Sequence, residues 1–209
     1  MLKINVVPFY KFCLLKFERN QSQRLWIHSK ITWLVGSKFI DIRPFDCTNL
    51  VEIHEPAGFL DKLKSWYLTN CQKLWALPRR LKFKSLEHFY LDSCESIEEL
   101  LELCTPNLKI FMLSSCENLV KVHESIGLLD KLQEWHLRDC GKFQTLPRRL
   151  LLKSLDIFNL SGCTSLENFP NIDSEMKCLQ YLYMRRSDTS LERNFLDSIY
   201  KFQNVNVLS

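Results

Sequence analysis

Nine cysteines stand in a chain of 209 residues. Thiols can ligate a metal, close a disulfide or attack an electrophile. Six of them, Cys47, Cys71, Cys94, Cys116, Cys140 and Cys163, follow one another at intervals of 24, 23, 22, 24 and 23 residues. A zinc site would want close pairs of the C-x-x-C type, and the sequence has none. Stacked coils would set such cysteines about 5 Å apart, a ladder that suits a reducing compartment better than an oxidising one. Cysteine is also a small, nearly apolar side chain with a weak donor, which fits a tight buried turn. The spacing therefore predicts free thiols in a core. Two further pairs, His54-Glu55 and His123-Glu124, occupy one repeat position three coils apart. Stacking would separate them by about 15 Å, so they read as solvated loop residues rather than one metal or acid–base site. The Pro-Arg-Arg runs at 78–80 and 147–149 read as solvated outer-face charge. No phosphate loop, H-E-x-x-H, G-x-S-x-G or glycine-rich dinucleotide fingerprint occurs. No catalytic, cofactor-binding or metal-binding residue is expected, and the chain does not read as an enzyme.

The cysteines belong to a longer phrase, Leu-x-x-aromatic-x-Leu-x-x-Cys. It runs Leu63, Trp66, Leu68, Cys71, then Leu86, Phe89, Leu91, Cys94, then Leu108, Phe111, Leu113, Cys116. It continues as Leu132, Trp135, Leu137, Cys140 and Leu155, Phe158, Leu160, Cys163. A degenerate copy follows at Leu179, Leu182 and Met184, with Ser187 in the cysteine position. The alternation within the phrase predicts a short strand with one face buried. Two more apolar residues follow each cysteine at three-residue steps, such as Leu74 and Leu77 or Ile97 and Leu100. Each coil thus offers about six apolar side chains that only a stack can bury. The expected fold is α/β, a leucine-rich-repeat solenoid or horseshoe. One parallel strand per coil would line its concave face, with irregular or short helical segments outside.

The array holds a larger duplication. Residues 48–94 and 117–163 align without gaps, with 25 of 47 positions identical, which implies that three coils were copied together. Residues 1–38 do not follow the phrase and are read as an atypical segment, with Trp26 and His28 hinting at a decayed coil. Residues 39–209 are read as six to seven coils ending in mid-phrase. Neither end shows the polar cap that a solenoid needs, so the chain reads as a fragment with exposed apolar edges. A net charge of +4 is too mild to imply a nucleic-acid or membrane-surface partner. No uninterrupted apolar run has membrane-spanning length, and Lys3, Lys11 and Lys16 break up the N-terminal apolar residues where a signal peptide would lie.

Several stretches resemble the repeats of plant intracellular immune receptors, the disease resistance class with a TIR domain, a nucleotide-binding domain and leucine-rich repeats. They are Cys47-Thr-Asn-Leu-Val-Glu-Ile-His54, Ser125-Ile-Gly-Leu-Leu-Asp-Lys-Leu132 and Lys153-Ser-Leu-Asp-Ile-Phe-Asn-Leu-Ser-Gly-Cys163. The family's Pro-Ser-Ser-Ile turn is represented only by Leu196-Asp-Ser-Ile199, and the TIR and nucleotide-binding domains are missing. The resemblance implies a cytoplasmic module, with the nucleus as the other compartment. Its partner would be a pathogen effector, a guarded host protein or the receptor's own nucleotide-binding domain. A generic adaptor, such as the substrate-recognition array of a ubiquitin ligase, is the alternative. The outward strand positions expected to meet a partner are Tyr67, Tyr90, Met112, His136, Asn159 and Tyr183, followed by Arg138 and Arg185. Tyr, Met and Arg are typical interface anchors.

Overall fold

The computed structural model describes residues 15–17, 40–42, 48–53, 62–167, 169–170, 176–185 and 206–208. Cys47, His54-Glu55, the stretch 189–199 and nearly all of residues 1–38 lie outside the described residues.

The repeated phrase becomes one parallel sheet of eight strands. In spatial order these are β2 (Ile40–Ile42), β4 (Leu63–Tyr67), β6 (His88–Tyr90), β9 (Ile110–Met112), β11 (Glu134–His136), β12 (Ile157–Asn159), β13 (Tyr181–Tyr183) and β14 (Asn206–Leu208). Trp66, Phe89, Phe111, Trp135, Phe158 and Leu182 stand in register across neighbouring strands. Each is buried, and its two neighbours along the strand face outward in most copies. Parallel coils stack like on like, so rings meet rings. Trp66 stacks on Phe89 at 5.1 Å, Phe89 on Phe111 at 5.6 Å, and Trp135 on Phe158 at 4.9 Å between centroids. Such offset pairs add about 0.5–1.5 kcal/mol beyond the area they bury.

The outer side was expected to be irregular or briefly helical. Among the described residues it is, apart from short parallel pairings and one 3-10 helix. A second column of short parallel pairings runs beside Leu74, Ile97 and Leu119. It comprises β3 (Leu50–Ile53), bridged from Glu52 to Ala76, then β7 (Glu99–Leu100) with β10 (Lys121–Val122), bridged on to Thr145. A third column pairs β5 (Arg80–Lys82) with β8 (Glu102–Cys104), and a 3-10 helix, Glu124–Leu128, packs next to β8. The reason is length. A coil of 22–24 residues must make three sides and their corners, which leaves too few residues for an outer α-helix. Backbone groups pair with the next coil instead. One element breaks the parallel rule. β1 (Leu15–Phe17) lies antiparallel on β3, pairing Leu15 with Ile53 and Phe17 with Leu50.

The corner after each inner strand has a fixed geometry. The residue just before the cysteine is left-handed in every described copy: Asn70, Ser93, Ser115 and Asp139 at φ between 56° and 58°, and Gly162 at 79°. Its N–H continues the ladder, as from Ser115 to the Arg138 carbonyl at 2.7 Å. The cysteine behind it is fully buried and turns its thiol back one coil. Cys94, Cys116, Cys140 and Cys163 donate to the carbonyls of Leu68, Leu91, Leu113 and Leu137 at 2.8, 2.9, 2.9 and 3.1 Å. All seven described cysteines are free. For the five described repeat cysteines, Cys71, Cys94, Cys116, Cys140 and Cys163, this agrees with the expected core thiols, and the last four have a task the spacing did not disclose: each donates to a carbonyl at the coil corner.

Candidate functional site

The outward residues of the inner sheet form three columns. The middle column is the one expected from the sequence. Tyr67, Tyr90, Met112, His136, Asn159 and Tyr183 are brought side by side by the strand register, and all are partly exposed. Tyr67 and Tyr90 stack face to face at 4.5 Å with only 4° between their planes. The next column carries Thr69, Asp92, Ser114, Arg138, Ser161 and Arg185. Arg138 is exposed and donates from Nε to the Asp139 carboxylate at 2.9 Å. Arg185 is exposed. Asn159 is partly committed to the backbone, accepting from the Ser161 N–H at 3.0 Å.

A further column lies on the other side of the buried ring and was not among the expected contact residues. It is formed by Ser65, His88, Ile110, Glu134, Ile157 and Tyr181, each paired in register with the next. The signal for it was present, since period-two alternation sends the residue before each aromatic outward as surely as the one after it. Ile110, Ile157 and Tyr181 give this column an apolar character that the middle column alone lacks.

Polar contacts on the sheet are short-range. His88 Nδ1 lies 3.2 Å from Ser65 Oγ, and His136 Nε2 lies 3.3 Å from Glu134 Oε2. Asp92 accepts from the Ser114 N–H at 3.1 Å, and burial pushes its carboxyl above the ordinary range despite that bond. Burial raises the Tyr90 hydroxyl as well, with Tyr67, Glu134 and Asp92 adding to the effect. At the margin of the sheet Glu87 bridges Lys64 and Lys109 at 2.8 and 2.7 Å. Bonds to those two lysines hold its carboxyl down to about 2.

The other candidate groups have structural employment. His123 is the N-cap of the 3-10 helix, its Nδ1 accepting from the Ser125 N–H at 3.1 Å. Arg80 pairs with Glu102 on the third side, and the Arg148 N–H donates to Glu124 at 2.8 Å. Ser65 and His88 have the identities of a nucleophile and base, but among the described residues no carboxylate orients the ring from its other nitrogen. Among the described residues no group of three or more His, Cys, Asp or Glu is placed to hold a metal ion, and no helix is long and apolar enough to cross a membrane.

Coils in register, one inner strand each, and a buried cysteine at every corner define a leucine-rich-repeat solenoid. No family model matches the chain. Curated plant proteins do. Disease resistance protein RPP4 of Arabidopsis thaliana is 36% identical over 129 residues, covering 61% of this chain and 11% of that protein. Protein SUPPRESSOR OF npr1-1, CONSTITUTIVE 1, of the same plant, is 30% identical over 134 residues, 64% of this chain and 9% of that protein. TMV resistance protein N of Nicotiana glutinosa is 29% identical over 163 residues, 75% of this chain and 14% of that protein. The chain is therefore similar to part of the leucine-rich-repeat region of plant TIR, nucleotide-binding, leucine-rich-repeat disease resistance proteins. It spans about a tenth of the length of the curated relatives it matches.

Proposed function

We propose that the chain is the protein-interaction module of a plant defence receptor and that its inner sheet is the contact surface. The partner is a pathogen effector, a guarded host protein or the receptor's own nucleotide-binding domain, met in the cytoplasm. The array that carries it is taken to run over residues 39–209. The observation that supports this reading is the sheet's outward face: tyrosines, a methionine, isoleucines and arginines in register on a rigid parallel ladder. Strand stacking makes this strip about 25 Å long, enough for a substantial contact. Aromatic and Arg anchors on a scaffold that costs no ordering entropy are the usual source of interface energy.

The test replaces Tyr67, Tyr90 and Tyr183 together by Ala in a receptor carrying this chain. Proteins captured by the parent are compared with those captured by the variant. Removing anchors of this kind costs about tenfold or more in affinity when they carry the contact. The defence response should fall in step, while circular dichroism and the melting temperature stay as in the parent. Undiminished capture and response would remove the inner sheet as the contact surface.

A further inference from the structure

One line of residues borders the inner sheet just before its strands. Lys64, Glu87, Lys109, Gln133, Asp156 and Gln180 follow one another coil by coil, each backbone N–H donating to the carbonyl of the member before it at 2.8 or 3.0 Å. The first three alternate in charge. Glu87 takes the ammonium groups of both neighbours, at 2.8 and 2.7 Å. The last three keep the acid and lose both lysines. Within the duplication Gln133 corresponds to Lys64 and Asp156 to Glu87, and the ladder sets Gln180 where Lys109 stands. Each replacement is shorter than its counterpart, and the margin opens into a cavity of about 660 Å³. Its walls include Gln133, Glu134, Ser154, Asp156, Lys177 and Gln180. Asp156 is left unsatisfied in it. Its Oδ1 is buried with no hydrogen-bond partner, and among the described residues its carboxylate makes no ion pair. Lys177 is exposed and is likewise unpaired among the described residues. A carboxylate oxygen withdrawn from water without a donor is costly, and a cation on the same carboxylate offsets that cost.

We propose that this cavity is a binding site for a primary ammonium group, with Asp156 as its counter-ion. The same position two and three coils earlier shows which chemistry it accepts, since Glu87 there holds two ammonium groups within hydrogen-bond reach. An ammonium carries three donors. The Asp156 carboxylate takes one, and the Ser154 hydroxyl and the side-chain oxygens of Gln133 and Gln180 line the same space for the others. Glu134 is held by His136 at 3.3 Å and adds negative potential on the same wall. A quaternary ammonium brings charge without donors and fits this set poorly. A free alkylamine and the end of a lysine side chain both carry the required group. The assignment goes beyond the contact-surface reading and does not depend on it.

Cys178 is exposed and lies on the cavity wall, so it reports occupancy. The full chain is treated with iodoacetamide at neutral pH, and the rate of Cys178 labelling is followed by mass spectrometry while n-butylammonium chloride is added. Labelling should slow to a plateau with n-butylammonium, and not with n-butanol or tetramethylammonium at the same concentration and ionic strength. Asp156→Asn should weaken this protection about tenfold, the scale of a hydrogen bond to a charged group. Gln133→Lys sets an ammonium where Lys64 has one. It should abolish the protection and raise the melting temperature, which keeps the test open if Asp156→Asn fails to fold. A capped Gly-Lys-Gly peptide that protects at lower concentration than n-butylammonium assigns the site to a protein lysine, and the reverse order assigns it to a free amine. Equal protection by n-butanol, no protection by n-butylammonium, or an unchanged response in Asp156→Asn would overturn the assignment. It is overturned too if the parent is unresponsive and Lys177→Met responds, because the chain's own lysine then fills the site.

Discussion

The Cys116 thiol points back one coil and donates to the Leu91 carbonyl at 2.9 Å. That carbonyl ends an inner strand where the backbone turns away, so the thiol supplies what the ladder cannot. Replacing Cys116 by Ala would leave the carbonyl buried and unpaired, a loss of about 1–3 kcal/mol. Cys116→Ser keeps a donor and should cost less than Cys116→Ala. Urea unfolding of the two variants checks the order; equal stability for parent and Cys116→Ala would deny the thiol its role.

The same burial governs reactivity. The Cys163 thiol is pushed up to about 12 by burial, and that of Cys116 is also raised, by its contact with Cys140 and by burial. Thiolate is the attacking form, so these groups should be inert in the folded chain. Iodoacetamide at neutral pH, followed by mass spectrometry of peptides, should label the exposed Cys178 first and leave Cys94, Cys116, Cys140 and Cys163 unmodified until urea is added.

Corner residues offer a stability gain. Ser93 and Ser115 hold φ values of 57° and 58°, which cost a side-chain-bearing residue about 1 kcal/mol. Ser115→Gly should recover part of this, less the extra freedom glycine has when unfolded. Gly162→Ala should move the melting temperature down, because its Cβ would come within 2.5 Å of the Asp139 carboxylate at a φ of 79°.

Thr105 stands where Phe83, Leu129, Leu152 and Met176 stand in other coils, and it is 1% exposed with no partner for its hydroxyl. Valine has nearly the same shape and no polar atom. Thr105→Val should stabilise the chain by about 1–2 kcal/mol, the cost of a buried unpaired hydroxyl. A drop in thermal stability would show that the hydroxyl is satisfied in solution.

Glu87 makes acid unfolding predictable in sign. Its carboxyl falls from an ordinary 4.5 to about 2 in the fold, so it binds protons less readily folded than unfolded. Its contribution is full above pH 4.5 and is lost as the pH drops toward 2. The two lysine pairs are partly exposed, which keeps the effect to about 1 kcal/mol. The melting temperature of Glu87→Gln should lie below that of the parent at pH 7, with the gap closing as the pH falls below 4.

Much of the core could be read from the sequence because stacking makes it one-dimensional. Leu86, Phe89, Leu91 and Cys94 each find their counterpart in the next coil, so one correct phrase fixes many contacts. The second and third pairing columns were harder. Residues such as Glu99-Leu100 and Arg80-Lys82 are too short a run to show period two. The left-handed corner was hidden because Asn70, Ser93, Ser115, Asp139 and Gly162 share a conformation and not a residue type. At the candidate site, Tyr90 and Met112 follow from alternation alone. The stacking of Tyr67 on Tyr90, and the turn of Arg138 onto Asp139, depend on rotamers that spacing does not encode.

All the pairing columns place their hydrogen bonds along the stacking direction, coil to coil. A load applied across the two ends of the array would therefore peel the bonds of one coil at a time and never shear a whole sheet together. Each released coil of 22–24 residues would add about 80 Å of slack. Stretched between optical tweezers, such a chain should yield in a series of small, even steps at low force, and it would behave as an extensible tether.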